Sequence, residues 1–297
     1  MTQICQICNS NNTRKDSQRK TSIGLKQRWY CKDCKKRFTE NALPNIKGNE
    51  DTVILAIDLY LKGVSYRGIQ DSMKQFYGLD ISHITVMNWI NRFMKEINRY
   101  VKSMTPEVGD YWHADEQFIK VKGKIQYIWN VLDARTRFLL ASNATPKRTT
   151  KAARETFQLA KTIANKKAKT VVTDGSFSYE KAVRKEFATY KNPKPHKRYV
   201  SLRNKECSNN KLERFHGTFR QRDKVMKGFK GNQKQFAENF QTYYNFIKPH
   251  MSIDSTKIKD FCVPKKKKSF LSMTPAQKAG INQKPEWKDL LLKAVQK

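Results

Sequence analysis

The chain has 297 residues, 38% of them hydrophobic and 29% charged, with 60 Lys and Arg against 26 Asp and Glu for a formal net charge of +34. Sixteen Phe, twelve Tyr and five Trp supply bulky material for packed cores, which excludes a disordered chain. A cationic excess of this size repels itself and attracts polyanions, of which nucleic acid is the commonest, through neutralised phosphates and released counterions.

The start, MTQICQICNSNNTRKD, lacks the apolar stretch of a signal peptide, and no apolar run approaches the roughly 20 residues that span a bilayer. The expectation is a cytoplasmic, nucleoid-associated protein with no membrane partner. Composition divides the chain into residues 1–47, rich in Arg, Lys and Asn; a helical stretch, 48–104; a mixed stretch, 105–255; and a Lys-rich tail, 256–297.

In the first stretch, Cys5-Gln-Ile-Cys8 and Cys31-Lys-Asp-Cys34 are two C-x2-C knuckles separated by 22 residues. In a reducing compartment such pairs favour metal over disulfides. Each knuckle presents two thiolates along one edge of a zinc tetrahedron. The strand-like run Arg28-Trp29-Tyr30 and the following Lys35-Lys-Arg-Phe38 complete the layout of a zinc ribbon, against the alternative of four unrelated buried thiols. So small a core leaves zinc to supply the folding energy. The ribbon grips DNA or holds a partner protein, and the basic residues from Arg14 to Lys47 favour DNA. Cys207 and Cys262 stand alone and read as small buried or incidental residues.

Residues 48–104 pattern as three helices. Asp51 is positioned to cap the first, over Val53–Leu61; Ser65 the second, with Ile69, Met73 and Phe76 apolar; and Ser82 the third, with Ile84, Met87, Ile90, Met94 and Ile97 at helical spacing. Periodicity alone divides evenly between a plain bundle and a helix-turn-helix. The charge and the ribbon favour the latter, with His83, Thr85, Asn88, Asn91, Arg92 and Lys95 turned outward to DNA.

Residues 105–255 alternate strands and helices. The expected strands are Tyr111–Val121, Ile125–Leu132, Arg137–Ser142, Thr170–Thr173 and Arg198–Leu202; the helices are Thr149–Lys166, Phe177–Phe187 and one from about Asn209. Three strands, helix, strand, helix, strand, helix is the order of an RNase H-like α/β fold. Asp115 on the first strand, Asp174 at the end of the fourth and Glu213 on the last helix then stand where three carboxylates converge on divalent ions. Hard oxygen ligands suit Mg2+ or Mn2+. Each acid has a plainer reading. Glu116 adjoins Asp115, but alternation puts it with Trp112, Ala114 and Phe118 on the face where a helix packs. Asp133 suits a hairpin turn, Asp174-Gly175 is common turn chemistry, and Glu213 is one charge on a solvated helix. Arg220, seven residues after Glu213, shares its helix face. Tyr243 and Tyr244 lack the Arg and His company of a tyrosine nucleophile and read as packing residues. In the tail, Lys265–Lys268 reads as a solvated or phosphate-touching loop.

Trp112-His-Ala-Asp115-Glu, Thr173-Asp174-Gly175, Asn209-Asn-Lys-Leu-Glu213-Arg-Phe-His and Tyr244-Asn-Phe-Ile-Lys-Pro-His250 in combination resemble DDE-type insertion-sequence transposases, of the group comprising insertion-sequence family six and its archaeal relatives, over roughly residues 50–255. The resemblance implies an RNase H-like core, a divalent metal held by Asp115, Asp174 and Glu213, a downstream basic residue at Arg220, and a homo-oligomer assembled on double-stranded DNA, both element ends and target. A non-catalytic DNA-binding regulator derived from such an enzyme is the alternative. It would need the ribbon and the helix-turn-helix but not the acids.

Overall fold

The computed structural model describes residues 3–5, 7–8, 10–21, 24–39, 43, 46–198, 210–226, 232–254, 272–281 and 285–295. Lys265–Lys268, Cys207, Cys262 and the end of the strand expected at Arg198–Leu202 lie outside them. The chain forms two compact units, one of residues 1–60, 64–96 and 291–297 and the other of residues 61–63 and 97–290. Among the described residues no helix is long and apolar enough to cross a membrane.

The first unit opens with an antiparallel three-stranded sheet, β1 (Thr13–Thr21), β2 (Gly24–Cys31) and β3 (Arg37–Thr39). Its small core is Cys5, Trp29, Cys31 and Phe38. Helices α1 (Glu50–Lys62), α2 (Tyr66–Tyr77) and α3 (His83–Lys102) follow. Ser65 caps α2 through Gly68 N, and Ser82 caps α3 through Thr85 N at 3.1 Å. The cap of α1 is Asn49, whose Oδ1 accepts from Thr52 N at 2.9 Å; the expected cap, Asp51, lies inside the first turn, where its charge complements the helix dipole. Gly78 ends α2 at φ 59°, a left-handed position that glycine takes without strain. Two apolar assignments shift. Phe76 on α2 and Ile84 on α3 are exposed; Ile90 and Met94 are buried as expected, and Val86, Trp89 and Phe93 are buried with them.

The second unit is built on a mixed five-stranded sheet: β4 (Tyr111–Val121), β5 (Lys124–Asp133), β6 (Leu139–Thr145), β7 (Thr170–Thr173) and β8 (His196–Arg198), in the order β6-β5-β4-β7-β8. The first three are antiparallel, and β4, β7 and β8 run parallel. That is the RNase H-like α/β arrangement expected from the element order. Helix α4 (Thr150–Ala164) connects β6 to β7, α5 (Phe177–Phe187) connects β7 to β8, and α6 (Asn210–Met226) and α7 (Gln233–Thr242) follow. The expected strand start at Arg137 is instead a turn residue at φ 61°. Asp133 holds that turn, with Oδ2 accepting from Thr136 N and Oγ1, both at 2.7 Å, so its plain turn reading stands.

The C-terminal stretch is more than a basic tail. β9 (His250–Asp254) pairs with β10 (Ser272–Met273), and α8 (Pro275–Lys278) and α9 (Trp287–Val295) bury Ala276, Trp287 and Leu290. The Trp287 ring stacks on Tyr243 at 6.4 Å.

Between α7 and β9 the chain forms one π-helical turn, Tyr243–Ile247, closed by Lys248 N donating to Tyr243 O at 2.9 Å. This turn aims Asn245 at edge strand β6. Its Oδ1 accepts from Leu139 N at 2.8 Å and its Nδ2 donates to Leu139 O at 2.9 Å, so a side chain takes the place of a neighbouring strand. The amide is buried, and its loss takes away the acceptor of Leu139 N, while Leu139 O keeps Gln241 Nε2 at 2.8 Å. Asn245→Ala is expected to cost about 2–3 kcal/mol of stability, read as a lowered urea midpoint at unchanged slope. Asn245→Asp, which turns a buried carboxylate oxygen onto Leu139 O, is expected to cost at least as much.

Candidate functional site

The β4–β7 ladder pairs Tyr111 with Thr170 and His113 with Val172. Continuing that register by two residues brings Asp115 level with Asp174, which follows the last residue of β7. One carboxylate oxygen from each of Asp115, Glu116 and Asp174 lies within 4.8 Å of the others. Asp115 Oδ1 accepts from Glu116 N at 2.9 Å, and Asp174 Oδ1 from Ser176 N at 3.1 Å. Burial, then the charges of Glu116 and Asp174, and more weakly Glu213, push the Asp115 carboxyl up to about 7.

Glu116 is the main departure from the sequence reading, which set it apart on a packed face. Its side chain is only 6% exposed, yet its carboxylate belongs to the acid group, while its expected companion Phe118 is exposed. On the β7 side of β4 the pairing ends at His113↔Val172, while the β5 ladder continues past Asp115 and Glu116. Two further residues went unmarked in the sequence. Arg148 pairs with Glu116 Oε1 and approaches Asp174 Oδ2 at 3.5 Å. Tyr179, fully buried on α5, interacts with Glu116, although neither its hydroxyl nor Glu116 Oε2 reaches good hydrogen-bond geometry. The available signals were a basic residue just before the Thr149 cap and an aromatic at a buried position of α5.

Opposite Asp115 on β5 stands Asn130. Ser142 Oγ donates to Asn130 Oδ1 at 2.9 Å, which turns Asn130 Nδ2 toward His216 Nε2 at 3.2 Å. His216 Nδ1 therefore carries the proton and faces Asp115 Oδ2 at 3.7 Å. Burial and the nearby Arg220 hold the imidazole down to about 4, so it is neutral near pH 7. Aromatic packing fixes α6 behind it, with Phe215 against Tyr244 at 4.9 Å and Phe219 against Phe240 at 5.0 Å. Both Tyr243 and Tyr244 are buried, as packing residues should be. Glu213 is exposed in the first turn of α6, outside the three-carboxylate group but close enough to act electrostatically on Asp115. Arg220 is exposed, with its guanidinium 5.9 Å over the Phe118 ring.

The acid group fits a divalent cation: hard-oxygen donors of Asp115 and Asp174 converge, Glu213 lies near enough to act on Asp115, and like charge raises Asp115. Among the described residues a second group fits zinc. Cys5 and Cys34 sulfurs lie 3.7 Å apart and Cys8 and Cys31 3.6 Å, near the ~3.8 Å edge of a tetrahedron with Zn–S of about 2.3 Å. The Cys34 backbone N–H, against opposing burial, brings the Cys31 thiol down to about 7. On α3, Asn88, Asn91, Arg92 and Lys95 are exposed and His83 and Thr85 half-buried, on the face expected to turn outward.

Residues 109–250 match the family model DDE_Tnp_IS240, described as a DDE domain. Over 87 residues the chain is 30% identical to the transposase for insertion sequence-like element IS431mec of Staphylococcus aureus, covering 29% of this chain and 38% of that one. Over 146 residues it is 27% identical to the insertion element ISM1 uncharacterized 48.3 kDa protein of Methanobrevibacter smithii, covering 44% and 35%. The chain thus spans little more than a third of the relatives it matches. The catalytic core domain of HTLV-2 integrase in complex with magnesium aligns with a TM-score of 0.37 at 12% identity, covering 50% of this chain and 91% of that one. The resemblance to DDE-type insertion-sequence transposases holds over the core.

Metal binding requires Asp115 to give up its proton. With the carboxyl at about 7, Mn2+ affinity is expected to rise about tenfold from pH 6 to pH 8, measured by titration of free Mn2+. His216, neutral across that window, adds no slope. Asp115→Asn should flatten the profile, and a flat wild-type profile would remove Asp115 from the ligand set.

Proposed function

We propose that this chain, whose residues 109–250 match a DDE domain, is a transposase that cuts DNA at the ends of an insertion sequence and joins them to target DNA. The observation that carries the reading is the meeting of the Asp115 and Asp174 carboxylates, from adjacent parallel strands, inside the matched region. Asp115, Asp174 and Glu213 are the proposed ligands of Mg2+ or Mn2+. When bound, such ions lower the pKa of the attacking water or 3′ hydroxyl and neutralise the leaving oxygen.

The chain's own residues do the rest. Neutral His216, oriented by Asn130, directs its N–H at Asp115 and leaves the negative charge of the carboxylate available for metal. Arg220 shares a face of α6 with Glu213, where a basic group meets the DNA backbone. The ribbon at 1–47, with zinc on Cys5, Cys8, Cys31 and Cys34, and the helix-turn-helix at 48–104, with His83, Thr85, Asn88, Asn91, Arg92 and Lys95, are the proposed DNA readers. The catalytic domain is proposed to run over 105–255. The protein acts as a homo-oligomer on double-stranded DNA in the cytoplasm.

Two measurements test this reading. In cleavage of a labelled duplex bearing the element's own end with Mg2+, Asp115→Asn, Asp174→Asn and Glu213→Gln should each lose about 10³-fold or more in rate, with DNA binding retained. Combined changes should cost no more than one, since the acids act as a unit. Normal cutting by all three would remove these acids from the catalytic set, and wild type that binds the duplex without cutting it would leave a DNA-binding regulator as the reading. Separately, purified protein should carry about one zinc per chain, and chelation should unfold the ribbon; a folded, zinc-free ribbon would end that assignment.

A further inference from the structure

Arg148 is the only Lys or Arg among the described residues ion-paired with the acid group. It stands between β6 and Thr149, the cap of α4. Its two partners differ sharply. Glu116 is 6% exposed and wedged against Tyr179, whereas Asp174 is 42% exposed and 3.5 Å away, too far for a firm bond. Both contacts run through Nη2, so Nε and Nη1 serve neither. A guanidinium carries five N–H donors in a rigid fork, the geometry that matches phosphate oxygens in pairs.

Charge points the same way. The clustered carboxylates of Asp115, Glu116 and Asp174 outnumber the one guanidinium, and Glu213 adds to the excess, so the group calls for further positive charge, which a divalent ion supplies. Asp174, the looser and more exposed partner, is the one free to turn to such an ion. Glu116, buried under the guanidinium, is not.

On the transposase reading above, we infer that Arg148, anchored by Glu116, contacts the phosphodiester at the active site: with Asp174 given over to metal, the guanidinium stays on Glu116 and its free N–H groups take a non-bridging phosphate oxygen. Glu116 is then a positioning residue that acts through Arg148.

The test compares full-length wild type with Arg148→Ala, Arg148→Lys, Glu116→Gln and Asp115→Asn. The readouts are Mn2+ binding without DNA, binding of a labelled duplex with and without Ca2+, and the rate of Mg2+-dependent cleavage. Arg148→Ala and Glu116→Gln should keep Mn2+ affinity at or above wild type. They should lose about tenfold of the Ca2+-dependent gain in duplex affinity and about 10²–10³-fold in cleavage rate. Arg148→Lys should recover little, because an ammonium lacks the fork. Asp115→Asn should lose Mn2+ binding itself. A tenfold or greater fall in Mn2+ affinity in Glu116→Gln would make Glu116 a ligand and Arg148 its mere counter-ion, overturning the inference. An unchanged Ca2+-dependent gain in Arg148→Ala, a surface variant expected to fold, would overturn it as well. Wild type that gains duplex affinity with Ca2+ yet cuts no DNA would sink the transposase reading alone, with the role of Arg148 still decided by binding.

Discussion

Like charge held at close range is the constraint around which the second unit is arranged. Three carboxylates converge where β7 ends, and two of them, Asp115 and Glu116, are largely withdrawn from water. Such crowding is unfavourable for folding by itself, because burial and mutual repulsion both oppose ionisation. The surrounding side chains answer it with directed groups. A backbone N–H serves Asp115, a guanidinium spans Glu116 and Asp174, and a neutral imidazole faces Asp115 without adding charge. The result is a site whose geometry is set by the protein and whose remaining charge is left for a cation.

That geometry depends on rigid support. Helix α6 carries Glu213 and His216, and its opposite side is clamped by an aromatic cluster, Phe215, Phe219, Phe236, Phe240 and Tyr244, with several edge-to-face contacts. The hydrogen-bonded chain Ser142–Asn130–His216 ties β6 and β5 to the same helix. The motif around Tyr244 and Asn245 therefore contributes to the site without touching it. Its rings brace α6, and its amide fixes the start of β6.

Much of this was legible in the sequence because local rules governed it. The alternation in Tyr111–Val121, the caps at Ser65 and Ser82, and the turn chemistry of Asp133 each act within a few residues, and each element appears where its rule placed it. What escaped depended on distant parts of the chain. Alternation assigned Glu116 a face but not the neighbours, Arg148 and Asp174, that distant parts of the chain bring to its carboxylate. The apolar side of α3 was drawn through Ile84, when the packing selects Val86, Trp89 and Phe93. In a lysine-rich stretch the helical spacing of Trp287, Leu290 and Leu291 marks a folded C-terminal segment. Arg148 carries no motif, and only the fold gives it a partner.

The amide clasp on Leu139 also bears on how copies of this chain can meet. A sheet of this kind has two open margins, and an unpaired strand is a template on which another chain can lay its own backbone. Here one margin begins with its first residue already satisfied by Asn245. A backbone laid on β6 from that end would first have to displace the amide, so Leu139 is closed to strand addition by another copy of this chain.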